Sequence, residues 1–502
     1  MPIRRGADFL ASLRDGREVW LHGERVDVTT DARLAGCARA FAAIYDLQAD
    51  PACHDLLTMP SPDTGEPVSI AYLLPYTTDD LVRKRQMIEY LARHTGGVVG
   101  RLPEYIANIV LGLYDARDVL GAEDPGFAAN AAAYFAHCRE TDPCVSLGFV
   151  DPQRDRQRPA TDFEFLKVVA ERPDGLIVRG AKGVATLAPY ANEFVCLTLP
   201  REGIPPEEVI HFAVPMGTPG IKIICREPLA PRVAAEHPLA AAYDEMDAWV
   251  VLDDVFVPRE RVFYRRRPDR LGALHRRILA WAYYHGVVRM AVKAEVLLGI
   301  CLAMTDYLGT AKVPHVQNGL ADAICYVELL RALVHEAERQ PVRSPSGLAI
   351  PNPTQVNVGR IYAVEREPHI LQVVREVCSS NILMAPGQAE LESPEIGQYV
   401  YRYLVGKDER APERFRLLKL AWDYAVDSFG ARQLLFDMFN ASDLRANKAS
   451  LAATYAPDAA TTLARRLAGI PPPGARPPGA GSPNDTAAPA ARSAPGQPQD
   501  VL

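Results

Sequence analysis

The strongest constraint on the fold of this 502-residue chain is a change in the pattern of apolar and turn-forming residues along its length. Between about residues 141 and 265, short runs rich in Val, Ile and Phe, such as GLIVRGAKGVATLA and IKIICRE, are separated by Gly, Pro and Asp. Such runs are typical of antiparallel strands joined by turns. The flanking stretches carry apolar residues at three- and four-residue steps, which is the period of amphipathic helices. The sequence therefore predicts a compact β domain between two helical regions.

The same change of pattern also gives the predicted domain boundaries. Four segments are expected: an N-terminal helical domain over residues 1–140, a middle β domain over 141–265, a C-terminal helical bundle over 266–455, and a mostly disordered tail over 456–502. The bundle prediction rests on long periodic segments, whose apolar faces bury against each other or against another subunit. The tail is rich in Pro, Ala and Gly and lacks the large apolar residues that would offset the entropy of ordering.

Charge and composition exclude several classes of partner. The net charge is −7 and no long basic run is present, which argues against a nucleic-acid partner. The N-terminus lacks the apolar stretch of a secretory signal, and the most apolar segment is interrupted by Arg289, Lys293 and Glu295, which predicts a buried helix rather than a membrane span. The nine cysteines include no C-x-x-C pair, a pattern typical of reduced thiols. We therefore expect a cytoplasmic protein with no membrane or nucleic-acid partner.

A glycine-rich segment, TGGVVGRLPEY from Thr95 to Tyr105, is the first candidate for a site. It lacks both the G-x-G-x-x-G spacing and the Lys-Ser or Lys-Thr pair of phosphate-binding loops. Pro103 suits the first turn of a helix. If that helix begins near Arg101, then Arg101 and Tyr105 lie four residues apart on one face. Spacing alone describes an ordinary loop-to-helix junction equally well, so both interpretations stay open here.

Seven segments, in the same order along the chain, resemble the large component of 4-hydroxyphenylacetate 3-monooxygenase and its relatives. They are RGADFLASLRDGREVWLHGERVDVTTD, GRLPEY, FVDPQRDR, RGAKGVATLAPYANEF, HFAVPMGTPGIKIICR, DDVFVPRERVF and FGARQLLFDMFNASD, and they run from about residue 3 to 450. The resemblance implies a mainly α fold with a central β domain, of the acyl-CoA dehydrogenase-like kind. Such a fold has an N-terminal helical domain, a middle antiparallel β-barrel and a C-terminal helical bundle.

The resemblance also implies an activity, although the fold alone would not determine one. Enzymes of this family are the oxygenase components of two-component monooxygenases. A separate flavin reductase supplies reduced FAD, O2 is the cosubstrate, and a C4a-hydroperoxyflavin hydroxylates a phenol-like aromatic substrate. A homotetramer is implied, and no metal is expected. The substrate is either free or tethered to a carrier protein, and a role in specialised metabolism fits the Arg-, Ala- and Pro-rich composition.

Site residues follow from the matching positions. Arg101 and Tyr105 match the family's arginine and tyrosine that contact the phenol, and the permanent charge of Arg101 suits a phenolate. Substrate contacts are also expected at Ser146 and Leu147. Contacts with the flavin are implied for Leu147, Gly148, Phe149, Val150, Gln153, Arg156, Thr186, Ala441, Ser442 and Asp443.

Leu147 is a departure from the family pattern. Its phenol-hydroxylating members usually carry a histidine at this position, which supports the substrate hydroxyl, whereas leucine neither donates nor accepts a hydrogen bond. Three explanations are open. A phenol binds in another register; the substrate is an aniline, an indole, a pyrrole or an amine that is N-oxygenated; or another residue, such as His137 or Ser146, replaces the histidine.

Other flavoproteins of the same fold provide the second hypothesis. The 4-hydroxybutyryl-CoA dehydratases hold an iron–sulfur cluster, which needs cysteine thiolates. Those enzymes carry cysteines where this chain has Arg101 and Tyr105, and a histidine followed seven residues later by a cysteine, whereas His285 is followed by Val292. A dehydrogenase would need a carboxylate base such as Glu295, which is more simply a salt-bridge residue of the bundle. A flavin-binding subunit without activity is the third hypothesis.

Overall fold

A computed structural model describes residues 3–155, 157–158, 163–404, 411–441 and 443–470. Its helices are α1 (Gly6–Ser12), α2 (Ala35–Leu47), α3 (His54–Leu57), α4 (Thr78–His94), α5 (Pro103–Asp115), α6 (Arg117–Gly121), α7 (Pro125–Thr141), α8 (Ala240–Tyr243), α9 (Leu271–Leu308), α10 (Pro314–Arg339), α11 (Pro353–Cys378), α12 (Asn381–Met384), α13 (Gln388–Glu392), α14 (Gly397–Tyr403), α15 (Ala411–Ala425), α16 (Ser428–Asn440), α17 (Leu444–Thr454) and α18 (Asp458–Leu467).

The strands cluster between residues 145 and 265, with a few short ones outside this range. They are β1 (Glu18–Leu21), β2 (Glu24–Val26), β3 (Thr58–Pro60), β4 (Pro67–Ser69), β5 (Val145–Gly148), β6 (Lys167–Arg172), β7 (Gly175–Thr186), β8 (Glu193–Cys196), β9 (Ile210–Pro215), β10 (Ile221–Cys225), β11 (Asp247–Pro258), β12 (Val262–Arg265), β13 (Val342–Arg343) and β14 (Ala349–Ile350). The predicted alternation of helical, β and helical regions is therefore confirmed.

Two larger sheets form the β region. One has the order β2-β1-β10-β11-β7-β6 and the other the order β12-β9-β8-β5, and both orders are open at their ends within the described residues. Most neighbours are antiparallel, as expected, but β1 pairs with β10 and β5 pairs with β8 in parallel. Parallel neighbours need a long connection, and here the chain between the paired strands includes other strands and helices. The sequence pattern of short β segments does not show which strands pair in parallel.

The N-terminal region is mainly helical, as predicted, but it also contributes a hairpin to the larger sheet. His22 and Gly23 join β1 to β2, with φ angles of 53° and 81°. Two successive residues with positive φ form the tight turn that suits the twist of a hairpin. The N-terminal segment is thus hydrogen-bonded to the β region that follows it.

The long helices pack around α9, which spans 38 residues and is buried on most sides. Glu295 on this helix pairs with Arg93 at 2.8 Å and Arg331 at 3.0 Å, so it is a salt-bridge residue, as expected. Within the described parts of the chain, no helix is long and apolar enough to cross a membrane. All nine cysteines are free thiols.

The chain divides into two compact units, Met1–Leu451 and Ala452–Leu502. The second unit contains α18, which lies inside the segment that was expected to be mostly disordered. Residues 471–502, which make up most of that predicted tail, lie outside the described residues.

The close approach of α5 and α9 gives a stability prediction. A Cβ on Gly112 would lie 2.2 Å from the backbone oxygen of Ile278, whereas a Cβ on Gly299, an exposed glycine of α9, would meet nothing within 4 Å. We expect Gly112→Ala to reduce the free energy of unfolding by about 1–3 kcal/mol, because the backbones must separate. Gly299→Ala should leave it unchanged or raise it by about 1 kcal/mol through helix propensity. Thermal and urea unfolding of the two variants check this difference, and equal effects would contradict the packing described.

Candidate functional site

The glycine segment forms the turn between α4 and α5. Gly96 and Gly97 have φ angles of +63° and +72°, in the left-handed region that glycine tolerates. Pro103 is the first residue of α5, as predicted. Arg101 precedes the helix, so the expectation that helical spacing brings it to Tyr105 is wrong. The two side chains nevertheless meet, with the guanidinium carbon of Arg101 4.2 Å from the ring centroid of Tyr105.

A carboxylate occupies the position where a phosphate loop would hold its ligand. The backbone N–H groups of Gly100 and Arg101 donate to Glu245, which is fully buried, over distances of 3.1 Å. Arg432 donates to the same carboxylate at 2.7 Å. The amide groups in front of α5 are therefore already paired, which agrees with the absence of a phosphate-loop motif in the sequence.

The side chain of Arg101 is a buried cation with no carboxylate partner in the described part of the chain. Only 7% of the residue is exposed, and its Nη1 atom has no hydrogen-bond partner among the residues that the structure describes. No ion pair joins it to a carboxylate in the described parts of the chain; its neighbours are the rings of Tyr105 and Phe436, the second at 5.5 Å. Aromatic faces attract a cation, but they do not replace the hydrogen bonds that a guanidinium loses on burial. The position is suited to an anionic ligand.

Tyr105 is held by residues from two other helices. Its hydroxyl donates to Oδ1 of Asn440 at 3.0 Å, and its ring contacts His285 edge-on, with 5.1 Å between the ring centroids. His285 Nε2 lies 3.2 Å from Glu104, and its Nδ1 has no hydrogen-bond partner within the described ranges. Burial lowers the pKa of His285, which keeps the ring neutral. Sequence reasoning missed Asn440 and the contact made by His285.

Thr186 lies at the edge of a second charged cluster. Its hydroxyl donates to Asp247 at 2.6 Å, and Arg432 and Arg226 donate to the same carboxylate at 2.6–3.0 Å. Burial by itself raises the pKa of Asp247, but Arg432, Arg226 and Thr186 outweigh it and lower that pKa to about 2. Because Arg432 also binds Glu245, the cluster connects the glycine segment to Thr186.

Two basic residues of α9 fix the other side of the glycine segment. Arg289 donates to the backbone oxygen of Gly97 at 2.7 Å and pairs with Asp437. Lys293 donates to Asp437 at 2.8 Å and pairs with Glu367. A Cβ on Gly97 would lie 2.8 Å from the Cβ of Lys293, so only glycine fits there. These charges explain why α9 carries basic residues in an otherwise apolar segment.

Ser146 and Leu147 follow each other in β5, so their side chains lie on opposite faces of the sheet. Ser146 is fully buried and donates to the backbone oxygen of Thr186 at 2.9 Å. Leu147 is 3% exposed. His137 lies 3.2 Å from Glu193 and lines a separate cavity of about 510 Å3, which does not include Arg101 or Tyr105. The structure does not bring His137 to the Arg101–Tyr105 pair.

The segment after β5 offers backbone groups. Gly148 and Val150 use their carbonyl groups to accept from Leu197 at 3.0 Å and Gly183 at 2.8 Å. The N–H and C=O groups of Phe149 make no backbone hydrogen bond to any part of the chain that is described. Gln153 is exposed. Arg156 lies outside the described residues.

The predicted contacts at the end of α16 lie directly after Asn440. The carbonyl oxygen of Ala441 accepts from Arg360, whose guanidinium carbon is 3.3 Å from the ring centroid of Tyr283. Asp443 is exposed and accepts from the backbone N–H of Ala446 at 2.8 Å, at the start of α17. Ser442 lies outside the described residues.

Among the residues that the structure describes, one group has the composition of a metal site. His237 Nδ1 lies 3.1 Å from Asp423 and 3.2 Å from Asp427. Asp423 also accepts from the backbone N–H groups of Leu239 and Ala240. The group contains no cysteine, and its hydrogen bonds fit a histidine clamped between two carboxylates.

Comparison with protein families gives two matches that together span most of the chain. The model described as "4-hydroxyphenylacetate 3-hydroxylase N terminal" matches residues 5–264. The model described as "4-hydroxyphenylacetate 3-hydroxylase C terminal" matches residues 273–469. The interval between them runs from the end of β12 to the start of α9.

Curated relatives match over similar lengths. The oxygenase component of 4-nitrophenol 4-monooxygenase/4-nitrocatechol 2-monooxygenase from Rhodococcus opacus is 32% identical, and the match covers 88% of this chain and 86% of that protein. The FADH(2)-dependent monooxygenase TftD from Burkholderia cepacia is 31% identical, with 88% of this chain and 87% of that protein covered.

Solved structures show the same fold. The oxygenase component (HpaB) of 4-hydroxyphenylacetate 3-monooxygenase, complexed with FAD and 4-hydroxyphenylacetate, has a TM-score of 0.87 and 30% identity, and the match covers 92% of this chain and 98% of that chain. An archaeal 4-hydroxybutyryl-CoA dehydratase from N. maritimus has a TM-score of 0.84 at 20% identity, covering 95% and 97% of the two chains, which is a likeness of fold alone.

The cluster around Asp247 predicts a pH-dependent contribution to stability. Because the pKa of Asp247 falls from 3.8 to about 2 on folding, its stabilising effect is complete above about pH 4 and is lost as the pH falls towards 2. Asp247→Asn should lower the free energy of unfolding at pH 7 by about 3 kcal/mol, since Arg432 and Arg226 each lose one of their two carboxylate partners in a largely buried cluster, and the difference from wild type should shrink below pH 4. The control is Asp253→Asn, which removes an exposed pair with Lys222 at 3.0 Å. Melting temperatures between pH 3 and 7 test this, and a constant difference would contradict it.

Proposed function

Because the chain belongs to the 4-hydroxyphenylacetate 3-hydroxylase family, we propose that it is the oxygenase component of a two-component, FADH2-dependent monooxygenase that hydroxylates a phenol-like aromatic substrate. The observation that carries this proposal is the buried guanidinium of Arg101, which lies against the ring of Tyr105 and whose Nη1 has no hydrogen-bond partner among the described residues. A relative that is 31% identical is named an FADH(2)-dependent monooxygenase, and a related structure contains FAD with a phenol.

The residues of this chain fit a flavin. The isoalloxazine edge carries both hydrogen-bond donors and acceptors, and the backbone N–H and C=O of Phe149, which make no backbone hydrogen bond to the described residues, could pair with them. The Thr186 hydroxyl donates a hydrogen bond to Asp247, so its oxygen lone pairs can accept from another donor. We therefore assign the flavin ring to the segment from Leu147 to Val150 and to Thr186, with Gln153 and Arg156 at its polar end. Ala441, Ser442 and Asp443 are proposed to approach the flavin from the end of α16.

Reduced FAD, when bound, activates O2 as an electrophilic oxygen donor. The chain's own residues then have three tasks. Arg101 binds the substrate oxygen and stabilises negative charge on it, which makes the ring more electron-rich. Tyr105 orients the substrate ring, and Asn440 and His285 fix Tyr105 in turn. The buried surroundings of Arg101 and Tyr105 exclude water, which would otherwise divert the oxygen to peroxide.

The reductase partner, the oligomeric state, the domain organisation and the location belong to the same proposal. A separate reductase is part of this proposal because relatives of the chain are named as oxygenase components. A homotetramer is supported by apolar side chains exposed on α9, α10 and α16, namely Leu302, Ile324, Leu329, Leu435 and Phe439. A barrel-like middle domain within an acyl-CoA dehydrogenase-like fold is supported by the bridge between Val150 and Gly183, which joins the two sheets. The four domain boundaries and a cytoplasmic location remain part of this proposal.

The hypotheses based on other flavoproteins are less well supported. An iron–sulfur cluster needs thiolates, and the one candidate metal group in the described ranges has none. Glu295 is occupied by Arg93 and Arg331, so it is not a free base for a dehydrogenase. Because Leu147 replaces the family's usual histidine, a second reaction remains a candidate for the same class of enzyme. This reaction is the oxygenation of an aniline, an indole, a pyrrole or an amine.

The experiment is a comparison of two arginine variants with FADH2 supplied by an NADH-dependent flavin reductase. Arg101→Ala should lower hydroxylated product by at least about 100-fold and convert the oxygen consumed into peroxide, because the oxyanion loses its charged donor. The matched control is Arg117→Ala, which removes an arginine 3.6 Å from the ring centroid of Tyr114, away from the site. Product by chromatography and peroxide yield are measured together.

The outcomes separate catalysis from folding. Unchanged FAD binding with loss of product in Arg101→Ala alone supports the assignment. Equal losses in both variants would mean that an arginine–tyrosine contact merely stabilises the fold. If wild type releases peroxide quantitatively with every aromatic compound tested, the proposed activity is wrong.

A further inference from the structure

We infer that a buried proton path connects solvent to the proposed substrate site, and that it runs through Asp142, a water-binding cavity beside the start of α5, Glu104 and His285. The inference rests on the proposed function. It goes further by assigning a role to buried groups that the proposed reaction leaves unused, and by assigning a site for water inside the fold.

The proposed reaction needs proton transfer in a place that bulk water does not reach. A phenol, O2 and FADH2 give the dihydroxy product, FAD and water. The ring C–H bond and the O–O bond break, a C–O bond forms, and FADH2 supplies the two electrons. Over this cycle no proton is gained or lost. Within it, however, the substrate oxygen is negatively charged beside Arg101, so one proton has to leave and one has to return through a site that excludes water.

His285 and Glu104 form the inner end of the path. The His285 ring contacts the Tyr105 ring edge-on, with 5.1 Å between the ring centroids, and its Nε2 atom lies 3.2 Å from Oε1 of Glu104. Only 1% of His285 and 4% of Glu104 are exposed. Because Nε2 is engaged by Glu104 and Nδ1 has no hydrogen-bond partner within the described ranges, Nδ1 is the atom left to exchange a proton with the site.

Glu104 also lines a small internal cavity. The cavity has a volume of about 20 Å3, and its lining includes Tyr45, Gln48 and Asp142. Tyr45 Oη, Gln48 Oε1 and Glu104 Oε2 are buried and have no hydrogen-bond partner among the described residues. A cavity of at least about 10–15 Å3 with two to four polar partners can hold a water molecule. A water in this cavity satisfies oxygens whose burial would otherwise cost free energy.

Asp142, directly after α7, forms the outer end of the path. It lines both the small cavity and the cavity of about 510 Å3 described above. The larger cavity opens to solvent, since its lining includes the side chain of His137, which is 39% exposed. Gln48 donates to the Asp142 carboxylate at 2.8 Å. Burial raises the pKa of Asp142 to about 6, although Gln48 and Arg4 oppose the rise, so this carboxyl group takes up and releases protons near neutral pH.

Other charged groups of the larger cavity do not reach the smaller one. Arg139 donates to Glu140 at 2.7 Å, and His137 lies 3.2 Å from Glu193. Asp8 accepts from the backbone N–H of Arg5 at 3.0 Å. Since none of these groups lines the smaller cavity, Asp142 is the acid that the two cavities share.

The remaining titratable groups around the path come from the elements packed against it. They are the cations Arg4, Lys84 and Arg289 and the neutral groups Tyr45, Tyr72, Cys138 and Cys144. Burial raises the pKa values of these tyrosines and thiols, so they keep their protons. Burial lowers the pKa of Lys84 to about 7, but Lys84 donates to the backbone oxygen of Ala71 at 2.6 Å and lines neither cavity.

The two transfers run in opposite directions along the same groups. When the substrate hydroxyl ionises, Nδ1 of His285 takes its proton and Nε2 gives one to Glu104, which passes a proton through the water to Asp142. When the product hydroxyl forms, a proton returns from Asp142 through the water and Glu104 to Nε2, and Nδ1 gives one back. A neutral imidazole has one donor and one acceptor nitrogen. The ring therefore changes tautomer twice and ends as it began, without a buried charge.

The first test looks for the water and needs no turnover. A crystal structure of the full chain should show a water molecule about 2.7–3.2 Å from Tyr45 Oη, Gln48 Oε1 and Glu104 Oε2. Absence of this water would overturn the inference, because Glu104 would then have no link to Asp142. Infrared spectra between pH 5 and 7 should show a carboxyl group that ionises near pH 6. Asp142→Asn should remove this signal and Glu140→Gln should keep it, and a signal that survives Asp142→Asn would exclude Asp142 as the outer end.

The second test is chemical rescue with formate. Asp142→Ala and Glu104→Gln should each lower the rate of product formation by about 100-fold, which is the scale of a positioned acid or base. The matched control is Glu140→Ala, which removes a carboxyl group from the larger cavity alone and should leave the rate unchanged. Excess formate can enter the larger cavity, so it should raise the rate of Asp142→Ala by at least about tenfold. It should not raise the rate of Glu104→Gln, whose cavity is too small for it.

The outcomes separate proton transfer from folding and from the proposed function. A loss in Asp142→Ala that formate does not restore would mean that Asp142 only stabilises the fold, and it would overturn the inference. Wild-type rates in Asp142→Ala or Glu104→Gln would overturn it as well. If wild type forms no hydroxylated product from any phenol tested, the proposed function fails instead. In that case the crystallographic water and the infrared titration still decide whether solvent is connected to His285.

Discussion

One buried carboxylate holds the candidate site together. Glu245 accepts from the backbone N–H groups of Gly100 and Arg101 and from the guanidinium of Arg432. A fully buried carboxylate is stable only when such donors surround it, and here the donors come from the glycine segment and from the bundle. The backbone in front of α5 is fixed in this way, and the side chain of Arg101 is directed onto the ring of Tyr105.

The buried basic residues of α9 are likewise stabilised by a buried partner of opposite charge. Arg289 and Lys293 share Asp437, and Arg289 also donates to the backbone of Gly97. The glycine segment thus lies between two ion networks, in which each arginine or lysine has a carboxylate partner. Arg101 stands apart from both, and this contrast marks it as the cation that a ligand completes. The charge arrangement, rather than any single hydrogen bond, distinguishes the site from an ordinary salt-bridged core.

The sequence predicted the succession of helical and β regions because local periodicity reports local structure. The family was predicted as well, because seven segments occur in the expected order, and the family matches confirm it. The supporting residues of the site were not found. Asn440 lies 335 residues from Tyr105, and Glu104 lies 181 residues from His285. No periodicity connects residues so far apart. The helical spacing assumed for Arg101 failed because Pro103 starts the helix two residues later.

The hairpin of β1 and β2 has a consequence for how this chain acquires its fold. β1 pairs with β10, so the hydrogen bonds between these two strands cannot form until residues 222–224 have been synthesised. Contacts between such distant residues slow folding, because a long loop must close first. Until then β1 lacks its neighbour on the side away from β2, and an open strand edge invites pairing with other chains. The N-terminal and middle regions are therefore one folding unit, and a fragment cut between them would expose that edge.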